Sequence, residues 1–131
     1  MASIRKVIRV DRSAEEVWAA IRDVGAVHQR LARGFVTDTR MEGEARIVTF
    51  ANGLVARELI VQVDDVARRL AYAAVGGRLT HHNASFEVYA EGEDASQVVW
   101  VADLLPDELG TTVEEMMDQG CAALKATLED Q

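Results

Sequence analysis

Cysteine is almost absent from this 131-residue sequence, and its single occurrence excludes an internal disulfide bond. Cys121 falls on the apolar side of a predicted helix, so we expect a small buried hydrophobic residue there rather than a nucleophile. Proline is equally rare. Pro106 is the only one, and we expect it to end the last strand of the chain.

Basic residues and long apolar segments are scarce as well. The chain has 14 Lys and Arg against 22 Asp and Glu, a net charge of −8. Binding to phosphate backbones needs a surplus of positive charge, so we expect no nucleic-acid partner, and anionic membrane surfaces are disfavoured. No segment approaches about eighteen consecutive apolar residues, and the N-terminal MASIRKVIRV lacks the apolar core of a signal peptide. We therefore expect a cytoplasmic protein without stable membrane insertion.

The familiar short motifs of catalysis and cofactor binding do not occur. The sequence has no GxSxG nucleophile elbow, no GK[ST] phosphate loop and no GxGxxG dinucleotide fingerprint. It also lacks the HExxH and paired CxxC spacings that are typical of metal sites. We therefore expect neither a metal nor a cofactor.

The strongest positive signal is an amphipathic helix at the C-terminus, predicted over residues 111–129. Thr112 and Glu115 have the spacing of a capping box at its start. Apolar residues recur at steps of three and four, which places them on one stripe of the helix. This stripe consists of Val113, Met116, Met117, Gly120, Cys121, Leu124 and Leu128. A helix with one apolar stripe needs an apolar surface to cover it.

The earlier chain predicts a sheet that supplies this surface. Alternating residues 3–10 indicate a first strand, and Ser13 with Glu16 forms a capping-box signature for a first helix. A second short helix carries Val27 and Leu31. Six further strands are predicted over residues 35–41, 45–51, 54–63, 69–75, 82–89 and 97–105. Short turns join them, so the sheet should be antiparallel and residues 1–131 one α+β domain.

This layout, with a set of residues in order, resembles the START/Bet v 1-like (SRPBCC) helix-grip superfamily, especially its small bacterial polyketide cyclase/dehydrase-like members. The similar positions are Ser13 to Trp18, Gly43, Arg46, Gly53, Glu58, Asp64, Asp65, Arg69 to Tyr72, and Val98 to Trp100. The resemblance implies a β-α-α-β6-α order, with a curved seven-stranded sheet wrapped around the C-terminal helix. It also implies a cavity between them, where members bind lipids, hormones or polyketides and a minority catalyse reactions. Many members carry a tryptophan in the second short helix, where this chain has His28-Gln29-Arg30-Leu31.

The register of the hairpin at Asn52-Gly53 decides which side chains face this cavity. A two-residue loop would place Arg46 opposite Leu59. A three-residue loop with Gly53 in the left-handed conformation would place Arg46 opposite Glu58. We favour the second register because it pairs two charges that are costly to bury alone. The alternative is an exposed ion pair of ordinary strength.

Strand alternation and the resemblance together give a set of candidate cavity residues. His81 and His82 are adjacent and point to opposite faces of a strand, and parity with Phe86 selects His82 for the inner face. His28 lies on the short helix that borders the cavity mouth in helix-grip folds. The expected ligand-binding residues are His28, Arg46, Val48, Glu58, Ile60, Tyr72, His82, Ala84, Phe86, Trp100, Met116, Met117 and Gly120.

Three functions remain open at this point. The first is binding of a small apolar or aromatic molecule. The second is cofactor-independent cyclisation or dehydration of a polyketide-like substrate, with Arg46 polarising a carbonyl and His82 or Glu58 moving protons. If Arg46 and Glu58 only neutralise each other and His82 is a wall residue, binding alone is expected. The third is a protein adaptor whose interior is filled by its own side chains. The sequence leaves both a monomer and a homodimer open.

Overall fold

In the computed structural model, which describes residues 2–131, one seven-stranded antiparallel sheet curves around a long C-terminal helix. The strand order is β1-β7-β6-β5-β4-β3-β2. The strands are β1 Ala2–Val10, β2 Val36–Glu42, β3 Ala45–Phe50, β4 Val55–Asp64, β5 Arg69–Val75, β6 His81–Ala90 and β7 Ser96–Leu105. Every predicted strand is present, and the predicted α+β helix-grip architecture is confirmed.

The first helix, α1, runs over Ala14–Arg22 and begins where the capping box predicts. The Ser13 hydroxyl accepts a hydrogen bond from the Glu16 backbone N–H at 3.1 Å and donates to the Glu16 carboxylate at 3.0 Å. Val17 and Ile21 are fully buried on its inner side. The Ser13 signature therefore positions α1 so that its apolar side meets the sheet.

The second short helix is a single wide turn over Val27–Leu31. Its Ala32 backbone N–H donates to Val27 O at 2.8 Å, a hydrogen bond that spans five residues instead of four. Val27 and Leu31 are buried, as the apolar pattern predicts. Such π-type turns are rare and occur often at functional sites.

The long helix, α2, covers Gly110–Glu129, and its predicted apolar stripe faces the protein interior. The predicted capping box at Thr112 and Glu115 is wrong. A short 3₁₀ turn, Asp107–Leu109, leads directly into α2, and no side chain among residues 2–131 caps the helix. Thr127 is also buried, which the stripe does not predict. Its hydroxyl accepts a hydrogen bond from the Arg33 backbone N–H at 2.9 Å, so the polar atom is satisfied.

The β3–β4 hairpin has the favoured three-residue loop. Phe50 N–H donates to Leu54 O at 2.8 Å, and Gly53 has the left-handed φ of 91° that this loop requires. Arg46 consequently pairs with Glu58 across the two strands. The register places both charges on the inner face of the sheet. Within residues 2–131, no helix is long and apolar enough to cross a membrane.

Candidate ligand-binding cavity

The sheet and the first half of α2 enclose a cavity of about 380 Å³, which we call the outer cavity. Its lining includes residues of β4 to β7, residues 76–79 of the β5–β6 loop, and Leu109, Thr112, Val113, Met116 and Met117. Among these, Leu54, Val55, Val75 and Arg78 are solvent-exposed, so the cavity opens at this rim. The interior is not filled by the protein's own side chains, which disfavours the adaptor hypothesis.

The cavity opens where β5 and β6 separate. Their ladder ends at the Tyr72–Ala84 pair. Beyond it, Ala74 N–H donates to the side chain of His82, at 2.9 Å from Nδ1, and not to the β6 backbone. The strands therefore diverge toward residues 75–80, where Gly76 and Gly77 both have positive φ. This divergence exposes the inner ends of β5 and β6 to the cavity.

His82 is held in one tautomer by the same contact. Because Nδ1 accepts the Ala74 N–H, the neutral ring carries its hydrogen on Nε2. Desolvation by burial lowers the pKa of His82 below its ordinary value, which favours the neutral ring near pH 7. His82 can therefore donate a hydrogen bond from Nε2, whereas a proton taken up from a ligand would have to displace Ala74 at Nδ1.

Arg46 and Glu58 form a buried ion pair, with Arg46 Nε 2.7 Å from Glu58 Oε1. The Arg46 side chain is only 3% exposed; its Nη1 lies 3.5 Å from Val24 O and its Cζ lies 5.1 Å from the centre of the Tyr72 ring. Two of the three guanidinium nitrogens thus contact protein oxygens, and the aromatic ring lies against the group. Glu58 lines the cavity, and its Oε2 accepts no hydrogen bond from the described residues.

Tyr72 connects this ion pair to the aromatic wall. Its hydroxyl accepts a hydrogen bond from Trp100 Nε1 at 3.0 Å, and Trp100 stacks on Phe86 with ring centres 4.8 Å apart. Desolvation, followed by the negative charge of Glu58, raises the pKa of Tyr72 above its usual range. The phenol therefore stays protonated at neutral pH. Its own hydrogen is not donated to any residue within 2–131, so it is available to a ligand.

A second, smaller cavity of about 60 Å³ lies next to the first, and we call it the inner cavity. Phe35, Phe50, Glu58 and Trp100 line both cavities. The remaining walls of the inner cavity are apolar or glycine and come from the wide turn, β2, β3, Phe86 and α2. They are Val27, Leu31, Ala32, Val36, Val48, Phe86, Gly120 and Leu124.

The structure brings most of the predicted site residues together. The outer cavity contains Glu58, Tyr72, His82, Trp100, Met116 and Met117, and the inner cavity adds Val48, Phe86 and Gly120. Four predicted residues lie outside both linings: His28, Arg46, Ile60 and Ala84. The ring of Tyr72 covers Arg46, and Ile60 packs against the core. The methyl group of Ala84 is short and lies between Tyr72 and Ala102 in the sheet. His28 lies on the wide turn, and its buried Nδ1 has no partner among the described residues.

Among the lining residues that the predicted set omits, two groups lie in irregular segments. Phe35 and the Val27–Leu31 turn line the inner cavity, and residues 76–79 of the β5–β6 loop line the outer one. Loops and irregular turns have no apolar periodicity from which their orientation could be inferred. Val113 was on the predicted helix stripe and could have been included. Within residues 2–131, no group of three or more His, Cys, Asp and Glu side chains is arranged to hold a metal ion.

Comparison of the sequence with known families gives one match. Residues 1–129 match the family described as polyketide cyclase/dehydrase and lipid transport. This match spans nearly the whole chain. Comparison with curated proteins finds no match.

Solved structures share the fold over the full length of the chain. An uncharacterized protein from Bacillus thuringiensis has a TM-score of 0.86 and 19% identity, covering 97% of this chain and 98% of that one. A START superfamily protein from Mycobacterium smegmatis has a TM-score of 0.83 and 14% identity, with 99% of each chain covered. The di-domain ARO/CYC BexL from the BE-7585A biosynthetic pathway has a TM-score of 0.84 and 17% identity, covering 98% of this chain and 47% of BexL. At these identities the similarity establishes the fold alone.

Proposed function

Because this chain belongs to the polyketide cyclase/dehydrase and lipid transport family, within the START/Bet v 1-like helix-grip superfamily, we propose that it binds a small apolar or aromatic molecule in the outer cavity. The observation that carries this proposal is the cavity of about 380 Å³, whose apolar walls hold only a few polar groups. Cavities of roughly 300–1,000 Å³ with this character are typical of small-molecule sites.

The polar groups favour a ligand with both a hydroxyl and a carbonyl group. Glu58 Oε2 is an acceptor, which suits a ligand hydroxyl. The Tyr72 hydroxyl and His82 Nε2 are donors, which suit a carbonyl oxygen. Trp100, Phe35 and Phe50 offer aromatic faces for the body of the ligand. A hydroxylated aromatic ketone combines these features.

The experiment uses 3-hydroxyphenyl methyl ketone as the probe, with isothermal titration calorimetry to measure Kd. We expect Tyr72→Phe to weaken binding by a factor of about 2–13, because one hydrogen bond to the ligand is worth roughly 0.5–1.5 kcal/mol. Tyr89→Phe is the matched control. Tyr89 is exposed and donates to Glu87 on the outer surface, so its removal should leave Kd unchanged. Equal affinities for Tyr72→Phe and wild type would refute the assignment of the cavity.

Catalysis in the same cavity is the second candidate function, and Glu58 favours it. A buried carboxylate with one oxygen facing the cavity can remove a proton from a carbon next to a ligand carbonyl. The protonated Tyr72 hydroxyl can stabilise the enolate oxygen that forms. Such steps support cyclisation or dehydration without a cofactor. In this proposal His82 donates a hydrogen bond, and Arg46 positions Glu58.

Solvent deuterium exchange at the methyl group of the same ketone tests catalysis. Wild-type protein should accelerate exchange, by about 10²–10⁴-fold for an effective general base. Glu58→Gln should abolish the acceleration, whereas His82→Asn should retain most of it. No acceleration by the wild-type protein, in the presence of saturable binding, would leave binding as the function and exclude this proton transfer.

A further inference from the structure

We propose that the inner cavity is a second compartment of the binding site and accepts a short apolar chain of the ligand. The ligand would then be a hydroxylated aromatic compound with an alkyl or acyl substituent of about four carbon atoms. This inference rests on the proposed binding function and specifies the ligand class.

The inner cavity adjoins the outer one at the polar end of the site. Both cavities share Phe35, Phe50, Glu58 and Trp100 as lining residues. A ligand whose hydroxyl group meets Glu58 therefore has one side toward the outer cavity and the other toward the inner one. A substituent near this hydroxyl needs only to pass the three aromatic side chains.

The chemistry of the inner cavity selects an apolar substituent. Apart from Glu58, its lining side chains are aliphatic or aromatic, and Trp100 Nε1 is already bonded to Tyr72. Apolar cavities stay dry and bind apolar molecules, because water placed in them lacks hydrogen-bond partners. At about 15 Å³ per atom-sized site, 60 Å³ has room for about four heavy atoms.

The three aromatic residues differ in how firmly they are held. Trp100 donates to Tyr72, stacks on Phe86 and packs against Gly120, where an added Cβ would lie 3.0 Å from the indole. Phe35 and Phe50 contact each other edge to face, with ring centres 5.2 Å apart, and both are only partly buried. Phe35 also precedes the irregular start of β2, where the register shifts between Val36 and Asp38. Rotation of Phe35 and Phe50, with Trp100 fixed, therefore opens the passage.

The test is a series of 3-hydroxyphenyl alkyl ketones with acyl chains of two to ten carbons, with Kd measured by calorimetry. Affinity should rise about fourfold for each added methylene while the chain fills the inner cavity, and then level off or fall. Leu124→Ala enlarges the inner cavity and should move the optimum to chains at least two carbons longer. Leu128→Ala is the matched control on the same helix, since Leu128 is buried but lines neither cavity, and it should keep the wild-type optimum.

A variant that narrows the inner cavity provides a second test, which does not depend on whether Leu124→Ala folds. Ala32→Val adds two methyl groups at the inner cavity and should shorten the optimal chain while the two-carbon ketone still binds. A continuous rise in affinity through ten carbons, or the same optimum in all variants, would overturn the inference and leave the proposed function intact. Failure of every ketone to bind wild-type protein would overturn both.

Discussion

At Arg46 and Glu58, two opposite charges lie side by side on the mostly apolar inner face of the sheet. The pair has a short contact of 2.7 Å, and Tyr72 and Val24 O complete the surroundings of the guanidinium. A buried pair is weak evidence for stability, since its desolvation cost offsets much of its attraction. We infer instead that Arg46 orients Glu58 while one carboxylate oxygen remains open to the cavity.

Removal of one member of this pair should be costly. Arg46→Met leaves Glu58 as an uncompensated buried charge, and we expect the unfolding free energy to fall by about 3–5 kcal/mol. The double variant Arg46→Met with Glu58→Leu should recover most of this loss, because no charge remains buried. Urea denaturation measures the unfolding free energies of the single and the double variant. Arg40→Met, which breaks an exposed ion pair with Glu42, should cost less than about 1 kcal/mol. A similar small loss for Arg46→Met would contradict the role of this pair.

His82 should make stability depend on pH. Burial lowers its pKa in the folded state below the ordinary value of 6.5, so the unfolded chain binds more protons just below that pH. Stability contributed by neutral His82 is therefore present above pH 6.5 and is lost as the pH falls from there toward the folded-state pKa.

Urea denaturation between pH 8 and pH 5 measures this dependence. The difference in unfolding free energy between wild type and His82→Asn should shrink as the pH is lowered through this window. His81→Asn changes an exposed side chain on the opposite face and removes only a lesser influence on the pKa of His82, so its curve should keep most of the wild-type pH dependence. A pH-independent difference for His82→Asn would show that the ring does not titrate as described.

Individual elements show which parts of the fold are encoded locally. The start of α1 was predictable because Ser13 and Glu16 form their cap from adjacent residues. The hairpin register was predictable because Gly53 can adopt the required positive φ. The start of α2 was not, because a 3₁₀ turn after Pro106 initiates the helix without a side-chain cap. The short helix at Val27–Leu31 was predicted, but its π-type winding was not, since five-residue spacing leaves little trace in so short a segment.

Within α2, Gly120 is required by the indole that packs on it. Alanine usually stabilises a helix interior by about 1 kcal/mol relative to glycine. At this position, however, the added Cβ would lie 3.0 Å from Trp100 and 3.3 Å from Phe35. We therefore expect Gly120→Ala to lower the unfolding free energy by about 1–3 kcal/mol, as overpacking does.

Thermal or urea denaturation measures the change in unfolding free energy caused by Gly120→Ala. Two further variants serve as controls. Gln119→Ala, on the exposed side of the same turn, should change stability by no more than about 0.5 kcal/mol. Trp100→Phe in the Gly120→Ala background should restore part of the loss, because the smaller ring leaves room for Cβ. An increase in stability for Gly120→Ala alone would show that Trp100 moves aside at little cost.

At the scale of the whole molecule, the fold was predictable but the cavity was only partly so. Alternation along β5 to β7 correctly oriented Tyr72, His82 and Trp100. It could not give the cavity volume, which depends on how far β5 and β6 separate beyond Tyr72 and Ala84. Nor could it show that Tyr72 covers Arg46, because that contact joins two strands at a distance set by sheet curvature.

The attachment of α2 explains how a ligand would affect the whole molecule. Lys6 on β1 forms 2.8 Å ion pairs with Glu114 and Asp118, and Arg33 contacts Thr127 near the C-terminus. The Lys6 ion pairs hold one side of α2 to β1, and the Arg33 contact holds its C-terminal end to the segment after the wide turn. Another side of α2 faces the open cavity. A ligand would therefore add contacts mainly between α2 and the rim formed by residues 75–79.

Hydrogen–deuterium exchange should locate this added stabilisation. With 3-hydroxyphenyl methyl ketone at 100 times its Kd, any local unfolding of the protein that releases the ligand becomes less favourable by about 2.7 kcal/mol. Amides of residues 75–79 should therefore exchange more slowly, because that loop lines the cavity. The turn at residues 91–94 is a matched control: it is equally exposed and lies outside both linings, so its exchange should not change. Slower exchange at 91–94 with none at 75–79 would mean that the probe binds elsewhere on the molecule.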